Sequence, residues 1–406
     1  MAPKTILIDA RGLNYLKETG INVYTLNILH ILNSIATEYT TQIQFMGIKD
    51  EVKKSLITKY PWLADYITAS ISLKQYLGIP KLIQPFFSNK LISALLELSL
   101  FVFPRSFFDW IWRPQAGNLI IWQPLHKALP IHPSTKHYIT SIHDLYALKN
   151  SNGLLMAEII REHKRNLTKT VTRATIILAV SYATGFDVQR FLTNSSNKIK
   201  VVYSGYPNSQ LSSQTQHIST PRTRNRPKKY FLCISGIEPR KNWFNIVLAH
   251  HYNNLHRSDY ECSLLLVGIP VNQKYYQDIK ALINQQKIDN VTIIENATDE
   301  EKNTLLQHCI GLVYASLYEG FGFPILEAFR FNKPVITSQV SSMPEIARTG
   351  GMLVNPFDIV DIANAMHILS QDSQFRDSLI CQIPQIRNQF GWDENIRFWR
   401  EILSSG

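Results

Sequence analysis

Short apolar runs alternate with longer amphipathic stretches along most of the chain. In the first half Thr5–Ile8, Ile43–Met46, Leu119–Trp122, Tyr138–Ile142, Ile176–Val180 and Ile199–Val202 read as strands. In the second half Tyr230–Ser235, Ser263–Val267, Val291–Ile294, Gly311–Ala315, Pro334–Ile336 and Gly350–Val354 do the same. Helical spacing lies between several of them. Gly20–Tyr24 opens a helix whose apolar positions are Val23, Leu26, Ile28, Leu29 and Leu32. Repeated strand–helix alternation predicts an α/β chain with mostly parallel, doubly wound sheets.

Three stretches depart from that rhythm. Asn208–Lys229 is rich in Ser, Thr, Gln, Asn and Pro and ends in a basic cluster, so it reads as an exposed linker (208–229). It separates a first domain, 1–207, from a second, 230–388. The tail, 389–406, carries Phe390, Trp392, Ile396, Phe398 and Trp399 among charges. An aromatic helix of that kind either crosses to the first domain or caps its own. Residues 77–114 are the third departure. Leu91–Phe103 is strongly apolar but contains Glu97, and at 13 residues it is too short for a bilayer, which needs about 20. Phe107, Phe108, Trp110 and Trp112 follow, with Lys81, Lys90, Arg105 and Arg113 around them. This is either a buried helix pair or a peripheral membrane contact with aromatics and cations at the lipid interface.

With 406 residues the chain has room for two to three domains. Its net charge of +11 sits wholly in residues 1–205, where 23 Lys and Arg face 12 Asp and Glu; from 206 on the count is 19 against 19. A basic half suits an acidic substrate or an anionic membrane surface. Nucleic acid is disfavoured as a partner, because the basic residues are scattered and no zinc-finger, homeodomain or RNP-type motif is present. The four cysteines have neither metal-ligand nor redox spacing, which suits buried thiols in a reducing cytoplasm. The N-terminal apolar run is too short for a signal peptide. The expected location is cytoplasmic, at most peripheral on the inner face of the membrane.

The candidate chemistry lies at strand ends. Glu319–Phe329, EGFGFPILEAF, follows the Gly311–Ala315 strand and leads into a helix, with Pro324 suited to its first turn. Glu319 falls in the loop and Glu327 about one turn into the helix. Gly320 and Gly322 let backbone approach a ligand, and helix-start N–H groups receive anions. Two carboxylates for hydroxyls with an anion cradle between them suit a sugar nucleotide. Gly236–Asn242 follows the Tyr230–Ser235 strand, and its adjacent Arg240 and Lys241 suit a diphosphate. Gly20 opens a similar strand–loop–helix site near the N-terminus. His143 ends the Tyr138–Ile142 strand, where ligands collect in open α/β sheets.

Assembled in order, DARG with TGINVY, SIHDL, VVYSG, SGIEPRKN, EGFGFPILEAF, KPVITSQVSSMPEI and GGMLVNP resemble the retaining glycosyltransferases of family GT4. The resemblance implies a GT-B fold, two facing Rossmann-like domains with the active site in the cleft. It implies that the C-terminal domain takes the nucleotide-sugar and the N-terminal domain the acceptor. Carried over by motif, Arg240 and Lys241 bind the diphosphate leaving group, Glu319 contacts the transferred sugar and Glu327 the ribose. Gly236, Gly320, Phe321, Gly322 and Phe323 lie against sugar and phosphate, Gly20 approaches the phosphates, and His143 bonds the sugar. Asn22 and Val23 stand where the family's loop often has glycine and arginine. The implied donor is GDP-mannose or another nucleotide-diphosphate hexose, a co-substrate rather than a cofactor. The implied acceptor is a lipid-linked or polysaccharide glycan. No Asp-x-Asp motif is present, so metal independence is expected; the resemblance implies a retaining, front-face transfer. Two other readings remain open, a sugar-nucleotide epimerase or glycogen-synthase-like enzyme, and a non-catalytic nucleotide-sugar-binding protein.

Overall fold

The computed structural model describes residues 4–10, 13, 20–39, 41–46, 48–64, 119–124, 135–149, 157–192, 195–205 and 226–405. The 77–114 stretch with its two readings, residues 208–225 of the expected linker, and Arg11 and Gly12 of the first turn lie outside the described residues. The chain divides into two compact units. The first takes Met1–Val180, Thr184–Tyr203 and Asp393–Gly406, and the second takes Ser181–Ala183 and Ser204–Trp392.

The first unit runs β1 (Lys4–Asp9), α1 (Gly20–Ala36), β2 (Thr41–Met46), α2 (Asp50–Lys59), β3 (Leu119–Gln123), β4 (Thr135–Ile142), α3 (Tyr146–Lys149), α4 (Ala157–Arg173), β5 (Ile176–Ala179), α5 (Tyr182–Phe191, in this unit from Thr184 on) and β6 (Ile199–Val201). The six strands are parallel in the order β2-β1-β3-β4-β5-β6. Ile28, Leu32 and Ile35 recur on one buried face of α1, the helical period at work. The order reverses direction at β1, so the switch point of this sheet lies between β1 and β3.

The second unit runs β7 (Tyr230–Ile234), α6 (Trp243–His256), β8 (Ser263–Gly268), α7 (Gln273–Gln285), β9 (Val291–Glu295), α8 (Asp299–His308), β10 (Gly311–Tyr314), α9 (Phe323–Arg330), β11 (Val335–Ser338), α10 (Met343–Ala347), β12 (Gly351–Val354), α11 (Ile359–Gln371) and α12 (Ser373–Asn388). Its parallel order is β12-β11-β10-β7-β8-β9. Every residue of the central strands β7, β10 and β11 is buried, whereas the edge strand β9 has no buried residue. A parallel sheet covered on both faces produces such unbroken apolar runs at its centre. Trp243, Leu264, Leu266, Ile336, Ile362 and Met366 belong to one core between strands and helices. Side chains fix several helix starts: Thr298 and Glu301 form a capping box for α8, and Asp358 and Asp372 cap α11 and α12.

The last helix, α13 (Asp393–Ser404), belongs to the first unit. Trp399 is fully buried and meets Trp122 edge-on with ring centroids 5.4 Å apart. Asn395 donates to the Tyr203 carbonyl at 2.9 Å, and Arg400 pairs with Glu38 at 2.9 Å. Among the described residues no helix is long and apolar enough to cross a membrane. Cys233, Cys262 and Cys309 are buried free thiols, while Cys381 is exposed, so the expectation of buried thiols fails at that one position.

Candidate active site

The order of the second sheet reverses between β7 and β10. In doubly wound sheets ligands bind at the carboxyl ends of the strands flanking such a switch point. The two charged loops singled out in the sequence leave β7 and β10 at that place.

The β7 loop ends in a single 3-10 turn, Pro239–Lys241, followed by Asn242 in the left-handed region at φ 61°. Asparagine tolerates that conformation better than most residues, and here its side chain is also used. Asn242 Nδ2 donates to the carbonyls of Ala315 (2.9 Å) and Pro356 (2.7 Å). The Leu317 amide donates to the Arg240 carbonyl at 2.8 Å. The turn that presents Arg240 and Lys241 is thus tied to the end of β10.

The β10 loop is held by serines. The Glu319 carbonyl accepts from the Ser341 hydroxyl and from Ser342 Oγ at 3.0 Å, and Ser342 Oγ also lies 2.9 Å from the Phe321 carbonyl. Ser181, also of the second unit, donates to the Gly320 carbonyl at 2.6 Å. Three consecutive carbonyls therefore face hydroxyls. Because a trans peptide is planar with C=O and N–H opposed, the amides of Gly320, Phe321 and Gly322 point away from those serines. Gly322 then turns the chain at φ 105°, and α9 starts at Phe323 with Pro324 in its first turn. Glu327 lies one turn into α9 and is half-buried. Gly236 lies in the loop after β7, and a Cβ there would meet the Val271 side chain at 2.9 Å.

The charges of the two loops meet. Lys241 Nζ donates to Glu319 Oε1 at 2.6 Å and to the Tyr314 hydroxyl at 3.2 Å. Arg240 donates one terminal nitrogen to Glu319 Oε2 at 3.2 Å and the other to Glu238 Oε1 at 2.9 Å. Glu319 is only 6% exposed. Burial by itself would raise its pKa, but the adjacent Lys241 and Arg240 charges outweigh it and hold the carboxyl at about 2. The neighbouring Tyr314 phenol is pushed far up, first by burial and then by the Glu319 charge, so it stays protonated.

Gly20, Asn22 and His143 belong to the first unit. Gly20 opens α1, Asn22 lies in its first turn, and Tyr24 packs edge-on against His143 with centroids 5.0 Å apart. His143 follows β4, and its Nε2 lies 2.8 Å from the Pro124 carbonyl. A carbonyl only accepts, so Nε2 carries the proton and Nδ1 of the neutral ring is an acceptor. Burial, offset in part by that bond, lowers the His143 pKa to about 4. Nearby, Gln123 Nε2 donates to Asp9 at 3.1 Å at the ends of β3 and β1, and Tyr138 donates to Gln123 at 2.8 Å.

Arg240, Lys241, Glu319 and Gly320–Phe323 are thus gathered at one switch point with Gly236 on the β7 loop. Glu238, Tyr314, Asn242, Ser181, Ser341 and Ser342 also belong to this arrangement. Glu238 had a signal, an acid two positions before a cation pair. The serines had none, since a loop serine carries neither period nor charge. Among the described residues no group of three His, Cys, Asp or Glu is arranged to hold a metal ion.

The family model of glycosyl transferases group 1 matches residues 215–385, a span that contains Arg240, Lys241, Glu319 and Glu327 but not Gly20 or His143. The serotype-specific mannosyltransferase WbdA of Escherichia coli is 26% identical over 255 residues, 62% of this chain and 31% of that protein. The O-antigen chain mannosyltransferase RfbU of Salmonella typhimurium is 28% identical over 250 residues, 60% of this chain and 62% of that protein. The chain thus spans under a third of WbdA and under two thirds of RfbU. Among solved structures, TarM has a TM-score of 0.68 at 12% identity, covering 100% of this chain and 99% of that one. Anabaena HepE, solved with UDP and glucose, has a TM-score of 0.64 at 16% identity over 100% of both chains. The two six-stranded parallel sheets have the GT-B fold of these solved structures, and the charged switch point of the second lies within the stretch that matches glycosyl transferases group 1.

Proposed function

We propose that the protein transfers a hexose, mannose in the first instance, from a nucleotide-diphosphate sugar such as GDP-mannose to a glycan or lipid-linked acceptor, with retention of configuration, in polysaccharide or O-antigen assembly. The observation that carries this reading is the Arg240–Lys241–Glu319 cluster at the switch point of the second sheet. The mannosyltransferase names of the relatives support the choice of sugar, and the complex of HepE with UDP supports a nucleotide at this fold.

The mechanism follows from where charge develops. As the sugar–phosphate bond breaks, negative charge grows on the departing diphosphate and positive character on the sugar ring. Arg240 and Lys241 stabilise the diphosphate most when its charge is greatest, which lowers the barrier rather than merely tightening binding. The Gly320–Phe323 backbone is assigned to the sugar and phosphate, which its glycines let approach closely. Glu327 is assigned to the ribose hydroxyls. The neutral His143 offers an acceptor nitrogen for a sugar hydroxyl and does not serve as a general acid. The incoming acceptor hydroxyl attacks from the face the diphosphate leaves, and a phosphate oxygen takes its proton.

The test is incubation with a panel of nucleotide sugars and a mannan or lipid-linked acceptor, with and without EDTA. GDP-mannose is expected to release GDP and give an α-linked product in both conditions, and Glu319→Ala to lower turnover by about 100-fold or more. Absence of turnover with every donor overturns the reading, and turnover unchanged by Glu319→Ala overturns the role given to the cluster. A β-linked product overturns retention.

A further inference from the structure

The cation pair that the proposed function assigns to the diphosphate is already satisfied by the protein. Lys241 gives its ammonium to Glu319, and Arg240 divides its guanidinium between Glu319 and Glu238. Two positive charges face two carboxylates, so the cluster is formally neutral. Glu319 uses both carboxylate oxygens on these cations, one on Lys241 and one on Arg240. The three central side chains are 8% (Glu319), 11% (Lys241) and 17% (Arg240) exposed. Water therefore screens the cluster far less than it screens a surface pair.

We infer that Glu319 is a counter-ion latch on the diphosphate site: it holds Arg240 and Lys241 in place while the site is vacant and yields them, in part, to an arriving diphosphate. A diphosphate bonded to Lys241 stands a few ångströms from the Glu319 carboxylate. Like charges at that separation repel at any dielectric found inside a protein. Glu319 thus has two opposed effects. It keeps two long cationic side chains ordered, which favours the transition state, where the diphosphate charge is greatest. It also weakens the grip on the diphosphate in the ground state, which helps the product leave. Each carboxylate oxygen released by the incoming phosphate becomes an acceptor for a sugar hydroxyl, so occupation of the phosphate site and contact with the sugar are coupled. Glu238 does the same for Arg240 alone, from a more exposed position.

The latch rests on the diphosphate reading of Arg240 and Lys241, and its sign is opposite to that of an ordinary binding residue. A group that only contacts the donor weakens binding when removed. A counter-ion strengthens it. The test is calorimetric titration of GDP, UDP and inorganic pyrophosphate into the wild-type protein, Glu319→Gln and Glu238→Gln, with circular dichroism to confirm folding. Glu319→Gln is expected to bind the nucleoside diphosphate about tenfold tighter, to bind pyrophosphate tighter as well, and to show falls in both KM for the donor and kcat. Glu238→Gln is expected to tighten binding about two- to threefold. A folded Glu319→Gln with unchanged or weaker affinity overturns the latch while leaving the diphosphate site standing. Should Glu319→Gln fail to fold, unchanged or weaker binding by Glu238→Gln overturns it. Absence of binding of any of the three probes to the wild-type protein overturns the diphosphate reading itself.

Discussion

Glu319 and His143 are both nearly inaccessible, and their titrations push stability the same way. The Glu319 carboxyl is held at about 2 against an ordinary 4.5. Its folded pKa is depressed, so its contribution is complete above pH 4.5 and is lost as pH falls toward 2, each unit of depression being worth about 1.4 kcal/mol. His143, like His250, is held at about 4 against 6.5 by burial. Between those values the unfolded chain binds a proton that the folded protein refuses, so stability also falls as pH drops from 6.5 to 4. Thermal midpoints measured from pH 8 to 3 are expected to decline in two stages. His143→Gln flattens the upper stage and Glu319→Gln the lower; a profile unchanged by both substitutions contradicts the buried charge states. At this scale the sequence exposed the identity of the charged residues but not their pairing. Arg240 and Lys241 stand out as adjacent cations after a strand, yet their counter-ion lies 78–79 positions further on, and only the fold brings it within 2.6 Å of Lys241. Ser342 was invisible for another reason: its role depends on two carbonyls in a different loop.

At the scale of elements, the strands were the most readable part. Central strands of a covered parallel sheet must be apolar on both faces, so β7 and β10 announce themselves as unbroken runs. The start of α9 was legible through Pro324. The turn before it was legible only as a glycine, although its conformation decides where the loop amides point. Gly322 sits at φ 105°, where an L side chain is strained, and an added Cβ would meet Ile325 Cδ1 at 3.3 Å. Gly322→Ala is expected to cost about 1–3 kcal/mol in chemical denaturation and to lower kcat/KM more than an equally destabilising change elsewhere in the second unit. Equal losses for both would show that the turn serves stability alone. Asn242 illustrates what spacing cannot reveal. Its left-handed backbone and its two carbonyl partners fix the cation turn, yet nothing in the local pattern separates it from any other loop asparagine.

For the whole molecule, two parallel sheets with interior switch points explain why the chemistry lies at strand ends. Only there do two loops that leave adjacent strands diverge to opposite sides and open a crevice. In the second sheet that crevice falls between β7 and β10, and the loops that carry Arg240, Lys241 and Glu319 issue from it. The strand count was within reach of hydrophobic patterning. The placement of α13 was not, because Phe398 and Trp399 satisfy any apolar surface; the partners that hold it lie at Glu38, Trp122, Lys200 and Tyr203. The central claim is that the switch point of the second sheet is the diphosphate site of a glycosyltransferase. It is tested most directly by titrating GDP and UDP into the wild-type protein and Lys241→Ala by calorimetry. The account predicts that one of the two nucleotides binds the wild-type protein and that Lys241→Ala weakens it by about tenfold or more. Nucleotide binding of equal strength in a folded Lys241→Ala protein would contradict it.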